Sequence, residues 1–163
     1  MATVIAMHCS GEGYPALGRL EAGDGDALGR FFSRLSCESL YRRFLSPIHR
    51  PEQTQLDRVL HGTAFVGMAG GEIVGVANYA RLGSSDTAEI AVVVEDAWQG
   101  RGVGTRLLAA LAEGARDAGI RRFEVASHAD NRRALSLIRR LWPEVKPRIS
   151  SGVLEASVTV AGT

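Results

Sequence analysis

Val92-Val93-Val94-Glu95-Asp96-Ala97-Trp98-Gln99-Gly100-Arg101-Gly102-Val103-Gly104-Thr105 is the stretch on which the reading of the fold turns. The run from Ala88 to Val94 is almost continuously apolar, which suits a central strand covered on both faces. Beyond the glycines, Val103, Leu107, Leu108, Leu111 and Ala115 fall on one side of a helix that Gly119 is placed to close. The turn between them delivers the start of a helix, where main-chain N–H groups lack intrahelical partners and the helix dipole is positive. Gly100, Gly102 and Gly104 remove the Cβ atoms that would hold an anion away from those amides, and Arg101 and Arg106 read as a supply of full charge. A Gly-rich turn alone also fits a tight connection that binds nothing. The phosphate-loop motif fails because no Lys-Ser or Lys-Thr pair follows, and a dinucleotide fingerprint fails because Thr105 stands where its third glycine belongs.

Working outward, a short strand around Leu17 to Glu21 precedes a helix with Leu28, Phe31, Phe32 and Leu35 on one face. Ser36 reads as the N-cap of a second helix carrying Leu40, Tyr41, Phe44 and Leu45, which stops at Ser46-Pro47. A weaker third helix spans 51 to 60. The period then changes: Ala64 to Met68, a Gly70-Gly71 turn and Ile73 to Tyr79 form an antiparallel hairpin. After the glycine-led helix come a strand from Phe123 to Ser127, a helix from Asp130 that Pro143 ends, and a terminal hairpin about Ser151-Gly152. This order predicts one α/β domain around a mixed sheet, residues 1–163, with 1–15 unassigned.

The chain has 163 residues, 45% of them hydrophobic, enough for one sizeable core. With 19 basic and 18 acidic side chains, it presents no global field for nucleic acid or an anionic membrane. Lys146 is the only lysine, so it is the sole side-chain amine open to self-acylation. Met1 to Cys9 lacks the pattern of a signal peptide, and no apolar run approaches bilayer length. A cytoplasmic location with Cys9 and Cys37 as free thiols, Cys37 buried, is the expectation. No close His and Cys spacing suggests a metal.

Gln99-Gly100-Arg101-Gly102-Val103-Gly104 after its hydrophobic strand, with Ala129-Asp130-Asn131 before the last helix, resembles the cofactor-binding signature of the GNAT superfamily of N-acetyltransferases. The resemblance covers about residues 62 to 142. A second likeness, through Phe31-Phe32-x-x-Leu35-Ser36-x-Glu38-Ser39-x-Tyr41-x-Arg43-Phe44-Leu45 and Ala88-Glu89-Ile90-Ala91-Val92, is to the catalytic domains of bacterial protein lysine acetyltransferases. It implies a mostly antiparallel sheet of about seven strands flanked by four or five helices. It also implies acetyl-CoA as cosubstrate, with Val92, Val93 and Val94 bonding the pantetheine and Gln99 bracing the loop. Gly100, Arg101, Gly102, Val103, Gly104 and Thr105 would hold the diphosphate, and Asn131, which alternatively reads as a helix cap, would bond the pantetheine arm.

By the same resemblance Glu89 is the base that assists attack of an amine on the thioester. A lysine-like amine, with pKa about 10.4, is neutral in only on the order of one part in a thousand near pH 7, so a base has work to do. A carboxylate in an otherwise apolar strand segment is expected to hold a proton more readily than in water. An ion-paired or edge residue is the alternative. Amides near Val93 and Val94 would stabilise the oxyanion. Many superfamily members carry a tyrosine acid where Ile138 stands here, leaving thiolate departure or help from water, Ser127, Ser136 or Tyr79. Protein lysine is the first acceptor expected and a small amine the second, with Glu38, Tyr41, Asn78 and Arg81 as candidate lining. A non-catalytic acyl-CoA sensor is the rival of another class, and nucleotide binding a third. Monomer and homodimer both stay open. The paired arginines 121–122, 132–133 and 139–140 form a basic region that reads first as a solvated face and alternatively as a contact for the CoA 3'-phosphate or an acidic partner.

Overall fold

The computed structural model describes residues 13–160. Seven strands form one sheet: β1 (Ala16–Arg19), β2 (Thr63–Ala69), β3 (Glu72–Arg81), β4 (Thr87–Val94), β5 (Arg122–His128), β6 (Arg148–Ser150) and β7 (Val153–Thr159). Their spatial order is β1-β2-β3-β4-β5-β7-β6. Every pairing is antiparallel except β4 with β5. Among the described residues five α-helices cover the sheet: α1 (Gly25–Arg34), α2 (Cys37–Phe44), α3 (Gln53–His61), α4 (Val103–Asp117) and α5 (Arg132–Leu141). The mixed sheet and its helices match the expected fold class, and the elements fall where the sequence periods place them.

Two apolar clusters grip the sheet, one on each face. On the first, Leu107, Leu108 and Leu111 of α4 pack with Ala77, Tyr79, Ala88, Ile90 and Phe123. On the second, Leu28, Phe31 and Phe32 of α1 and Leu40 of α2 meet Val66, Val76 and Val93. The alternation of β3 and β4 residues between these clusters is the two-residue period of a strand buried on both faces. Ser36 caps α2 by accepting from the Ser39 amide at 3.2 Å. That helix ends at Leu45, which turns left-handed at φ 53° one residue ahead of Ser46-Pro47. Gly119, at φ 79°, follows the end of α4 as a left-handed terminator.

The helix α4 lies close enough to β3 that no side chain fits beneath it at Gly75. A Cβ there would stand 2.9 Å from Leu107 Cδ1 and 3.3 Å from Val103 Cγ1. Gly75→Val is therefore expected to cost about 1–3 kcal/mol of stability, measurable by denaturant unfolding. An unchanged midpoint would mean that α4 does not seat on the sheet at this point.

Candidate active site

The central geometric fact is a parting of two strands. The parallel pairing of β4 with β5 runs only from Thr87↔Arg122 to Glu89↔Glu124, whereas β3 stays paired with β4 through Val94. Leu82 donates to the Thr87 carbonyl at 2.9 Å and Glu95 to the Val74 carbonyl at 2.8 Å, so the odd-numbered residues of β4 exchange their bonds with β3. By antiparallel alternation the amides and carbonyls of Ile90, Val92 and Val94 face the gap instead. Val93 differs: its backbone serves the β3 ladder and its side chain is buried in the second cluster.

A cavity of about 980 Å³ occupies this gap and extends along α2, α3 and α5. Glu89, Val92, Val93, Val94, Gln99, Gly100, Gly102, Val103, Gly104, Thr105 and Asn131 all line it. Arg101 does not; its guanidinium carbon lies over the Trp98 ring, 5.2 Å from the centroid. Nor does Arg106, which donates to the Pro15 carbonyl at 2.9 Å and faces Tyr14. The cations expected at the loop are engaged elsewhere, and Arg132, Arg133 and Arg140 of α5 line the cavity. Of the paired arginines of α5 only Arg139 lies outside the lining, and all four are exposed.

Gly100 and Gly102 hold φ values of 73° and 80°, and a Cβ on either would enter open space. Their conformation needs glycine, and the absent Cβ leaves the amides uncovered. Gly104 is different. It already lies in α4, and a Cβ would touch Leu137 at 3.6 Å and Val94 at 3.8 Å, ordinary contact distances. Neither packing nor backbone conformation requires glycine at this position.

The loop is held from both sides by polar contacts. Gln99 donates through Nε2 to the Val94 carbonyl at 2.9 Å and to Ser39 Oγ at 3.1 Å. Arg133 donates to Gln99 Oε1. Ser39 Oγ and Ser36 Oγ each donate to Asp96 Oδ1 at 2.8 Å, and the Ser36 amide reaches Asp96 Oδ2 at 3.1 Å. Burial works to raise the Asp96 pKa, but the bonds from Ser36 and Ser39 outweigh it and hold the carboxyl below its ordinary value. Asn131 Oδ1 caps α5 by accepting from the Ala134 amide, while Nδ2 donates to Ser127 Oγ, both at 3.1 Å. The capping alternative for Asn131 thus describes what its carboxamide oxygen does.

Glu89 stands at the last paired position before the strands part, on the same sheet face as Asn78 and Ala80. The apolar surroundings expected there are not found: Glu89 is exposed, and beside it Arg43 of α2 donates to Asn78 Oδ1 at 2.9 Å. Burial pushes the Arg43 guanidinium down to about 10, with the charge of Glu89 opposing the shift. In the sequence Arg43 figures only as part of a family-like motif and takes no role, because nothing in the local spacing shows that α2 lies across this part of β3 and β4. Of the acceptor-lining candidates, Glu38 and Asn78 border the cavity. Tyr41 instead stacks on His128, centroids 4.2 Å apart, and Arg81 donates to the carbonyls of Ser85 and Ala118. Ser127, Ser136 and Ile138 line the cavity, while Tyr79 is buried in the first cluster. Cys37 is exposed, not buried, and Cys9 lies outside the described residues. Among the described residues no group of three or more His, Cys, Asp or Glu could hold a metal ion, and no helix is long and apolar enough to cross a membrane.

The model of the Acetyltransferase (GNAT) family matches residues 32–141, which include the parted strands, the glycine loop and α5. The chain belongs to the GNAT acetyltransferase family. It is 35% identical to Acetyltransferase Pat of Mycolicibacterium smegmatis over 77% of its length, and spans 39% of that protein. Among solved structures, the GNAT domain of S. lividans PAT superposes with a TM-score of 0.81 at 28% identity, covering 89% of this chain and 90% of that one. The yncA acetyltransferase of Salmonella typhimurium, solved with its cofactor acetyl-CoA, shares the fold at a TM-score of 0.69 and 18% identity, covering 91% of this chain and 95% of that one. These likenesses agree with the resemblance read from the sequence.

The Asp96 contacts make a test of how the GNAT loop is braced. A carboxylate whose pKa is lowered on folding stabilises the protein fully above its ordinary value of 3.8, and that contribution is lost as the pH falls through the lower folded value. Asp96→Asn is expected to lower the neutral-pH stability by at most about 1 kcal/mol, since Asp96 is largely solvent-screened. Thermal unfolding from about pH 2 to pH 7 should show the two proteins converging at the acid end. A gap that stayed constant with pH would show that the charge of Asp96 is not what matters.

Proposed function

We propose that this domain transfers the acetyl group of acetyl-CoA to a primary amine, with a protein lysine as first candidate and a small amine as second, and with Glu89 as base. The observation that carries this reading is the opening of β4 from β5, with Glu89 where the gap begins and the left-handed glycines beyond its far end. Pantetheine carries amide groups at about the spacing of a peptide, and the gap-facing N–H and C=O of Val92 and the N–H of Val94 suit it as an added strand would. The Val94 carbonyl already accepts from Gln99, which fixes the loop against the strand. Amides from Gly100 to Thr105, at the N-terminus of α4, suit the diphosphate. Arg133, exposed beside Gln99, adds positive charge there, and the second Nδ2 hydrogen of Asn131 is open to the pantetheine arm. The acetyl-CoA held by the Salmonella typhimurium fold relative supports the same cosubstrate here.

In the reaction the acceptor nitrogen forms its bond to the acetyl carbonyl carbon and the carbon–sulfur bond breaks. The proton from nitrogen passes to Glu89, directly or through water, and CoA departs as a thiolate. No tyrosine is needed for departure, because a thiol is acidic enough to leave charged. Ile138, 3% exposed, offers no proton in any case. The Val93 amide, held in the β3 ladder, is not open to the oxyanion, which leaves that role to the gap-facing N–H groups of β4. Location in the cytoplasm and the choice between monomer and homodimer stay with this proposal as expectations. The likeness to Acetyltransferase Pat and to the PAT GNAT domain favours the lysine acceptor.

Glu89→Gln should lower turnover by about 10²-fold or more near neutral pH, followed as release of free thiol from acetyl-CoA. Acetyl-CoA affinity, measured by calorimetry, should be nearly unchanged. Wild-type turnover in the variant across about pH 6 to 9 would remove Glu89 from the mechanism. Binding of acetyl-CoA by the wild type with no thiol release for any amine or lysine peptide would favour a sensor module instead.

A further inference from the structure

The acceptor end of the cavity is lined by charged groups of both signs, only some of which are in direct ion pairs. Glu38 is taken by Arg42 at 3.0 Å, and Arg42 reaches on to Asp130 at 3.3 Å. Three charged groups on these walls then remain: Glu89 on β4, Arg43 on α2 and Arg58 on α3. Among the described residues neither Arg43 nor Arg58 has a carboxylate within ion-pair distance. Arg43 is half-buried, with its guanidinium carbon 4.8 Å from the centroid of the Phe44 ring and a neutral partner, Asn78. A guanidinium presents five N–H groups, and one bond to Asn78 leaves most of the fork open to the cavity.

That arrangement discriminates between acceptors. A bare ammonium drawn toward Glu89 also meets the charge of Arg43, which Glu89 tempers from a distance but no bonded anion neutralises. A molecule holding a carboxylate beside its amine satisfies both, setting the nitrogen toward Glu89 and offering the guanidinium the bidentate partner it lacks. Burial of Arg43 points the same way, because a cation stripped of part of its hydration gains most from an anion delivered by the ligand. Resting on the reading of Glu89 as the neighbour of the reacting amine, we propose that the acceptor carries a carboxylate close to that amine, received by Arg43 with Arg58 at the rim. The carboxylate has two sources: the α-carboxylate of a free amino acid, or an acidic side chain next to the lysine of a peptide.

Matched acceptors test this without any variant. Amino acids are compared with their α-amides, and lysine peptides with a flanking Glu are compared with the same peptides bearing Gln, each by kcat/KM for thiol release. The carboxylate member of one series should be favoured by about tenfold or more, and whichever series shows it identifies the source. Arg43→Met should abolish that preference, Arg43→Lys should keep part of it, and Arg58→Ala, on an exposed position, should weaken it. Equal rates within both series, or faster reaction of the amides, would overturn the proposal. Should no acceptor release thiol at all, the catalytic reading has failed, and the subsite is judged separately from binding of the N-acetylated products in the presence of CoA. Tighter binding of the carboxylate product, lost in Arg43→Met, would uphold the subsite; indifference to the carboxylate would end it.

Discussion

A strand cannot leave its backbone groups unpaired in a protein interior without something else to bond them, and this constraint organises the whole molecule. After Glu89↔Glu124 the two central strands separate, and the polar edge of β4 from Ile90 to Val94 is turned to a cavity instead of a neighbour. The rest of the sheet pays for this opening: β3 follows β4 along its full length, and β5 closes against β7 over seven paired positions. Apolar layers on both faces then keep the parted strands from collapsing together. The glycine loop and the start of α4 lie at the end of the opening because the chain leaves β4 there.

The side chains around the gap divide the labour. Gln99, Ser36, Ser39, Asp96 and Arg133 hold the walls by bonding one another, leaving the main-chain amides to meet a ligand. Asn131 secures the start of α5. At the other end Glu89, Arg43 and Arg58 line the cavity and, among the described residues, are in no ion pair.

Much of this was legible in the sequence because it is local. The apolar run into a glycine turn, the spacing of Leu107, Leu108 and Leu111, the Ser36 cap and the Gly70-Gly71 hairpin each fit within a few residues of chain, where period and turn chemistry act. Gln99 and the left-handed glycines were found for the same reason. Contacts that join distant segments were not. Arg43 meets Asn78 across 35 positions and Ser39 meets Asp96 across 57, and no spacing rule reports such pairs. Arginine was misjudged in both directions: Arg101 and Arg106, next to the loop in sequence, find Trp98 and Pro15, while Arg133, 34 positions from Gln99, bonds it. The exposure of Glu89 was hidden likewise, since an apolar stretch of chain says nothing about which polar helix lies over it.

The Asp96 knot ties a helix to a loop that belong to different ends of the cavity. Ser36 and Ser39 open α2, the helix that carries Arg43, while Asp96 and Gln99 belong to the segment leading into the glycine turn. A wall built this way behaves as a lever with its pivot at one carboxylate. Any tilt of α2 would strain the bonds that brace the turn, so the two ends of the cavity share one mechanical allowance through that carboxylate.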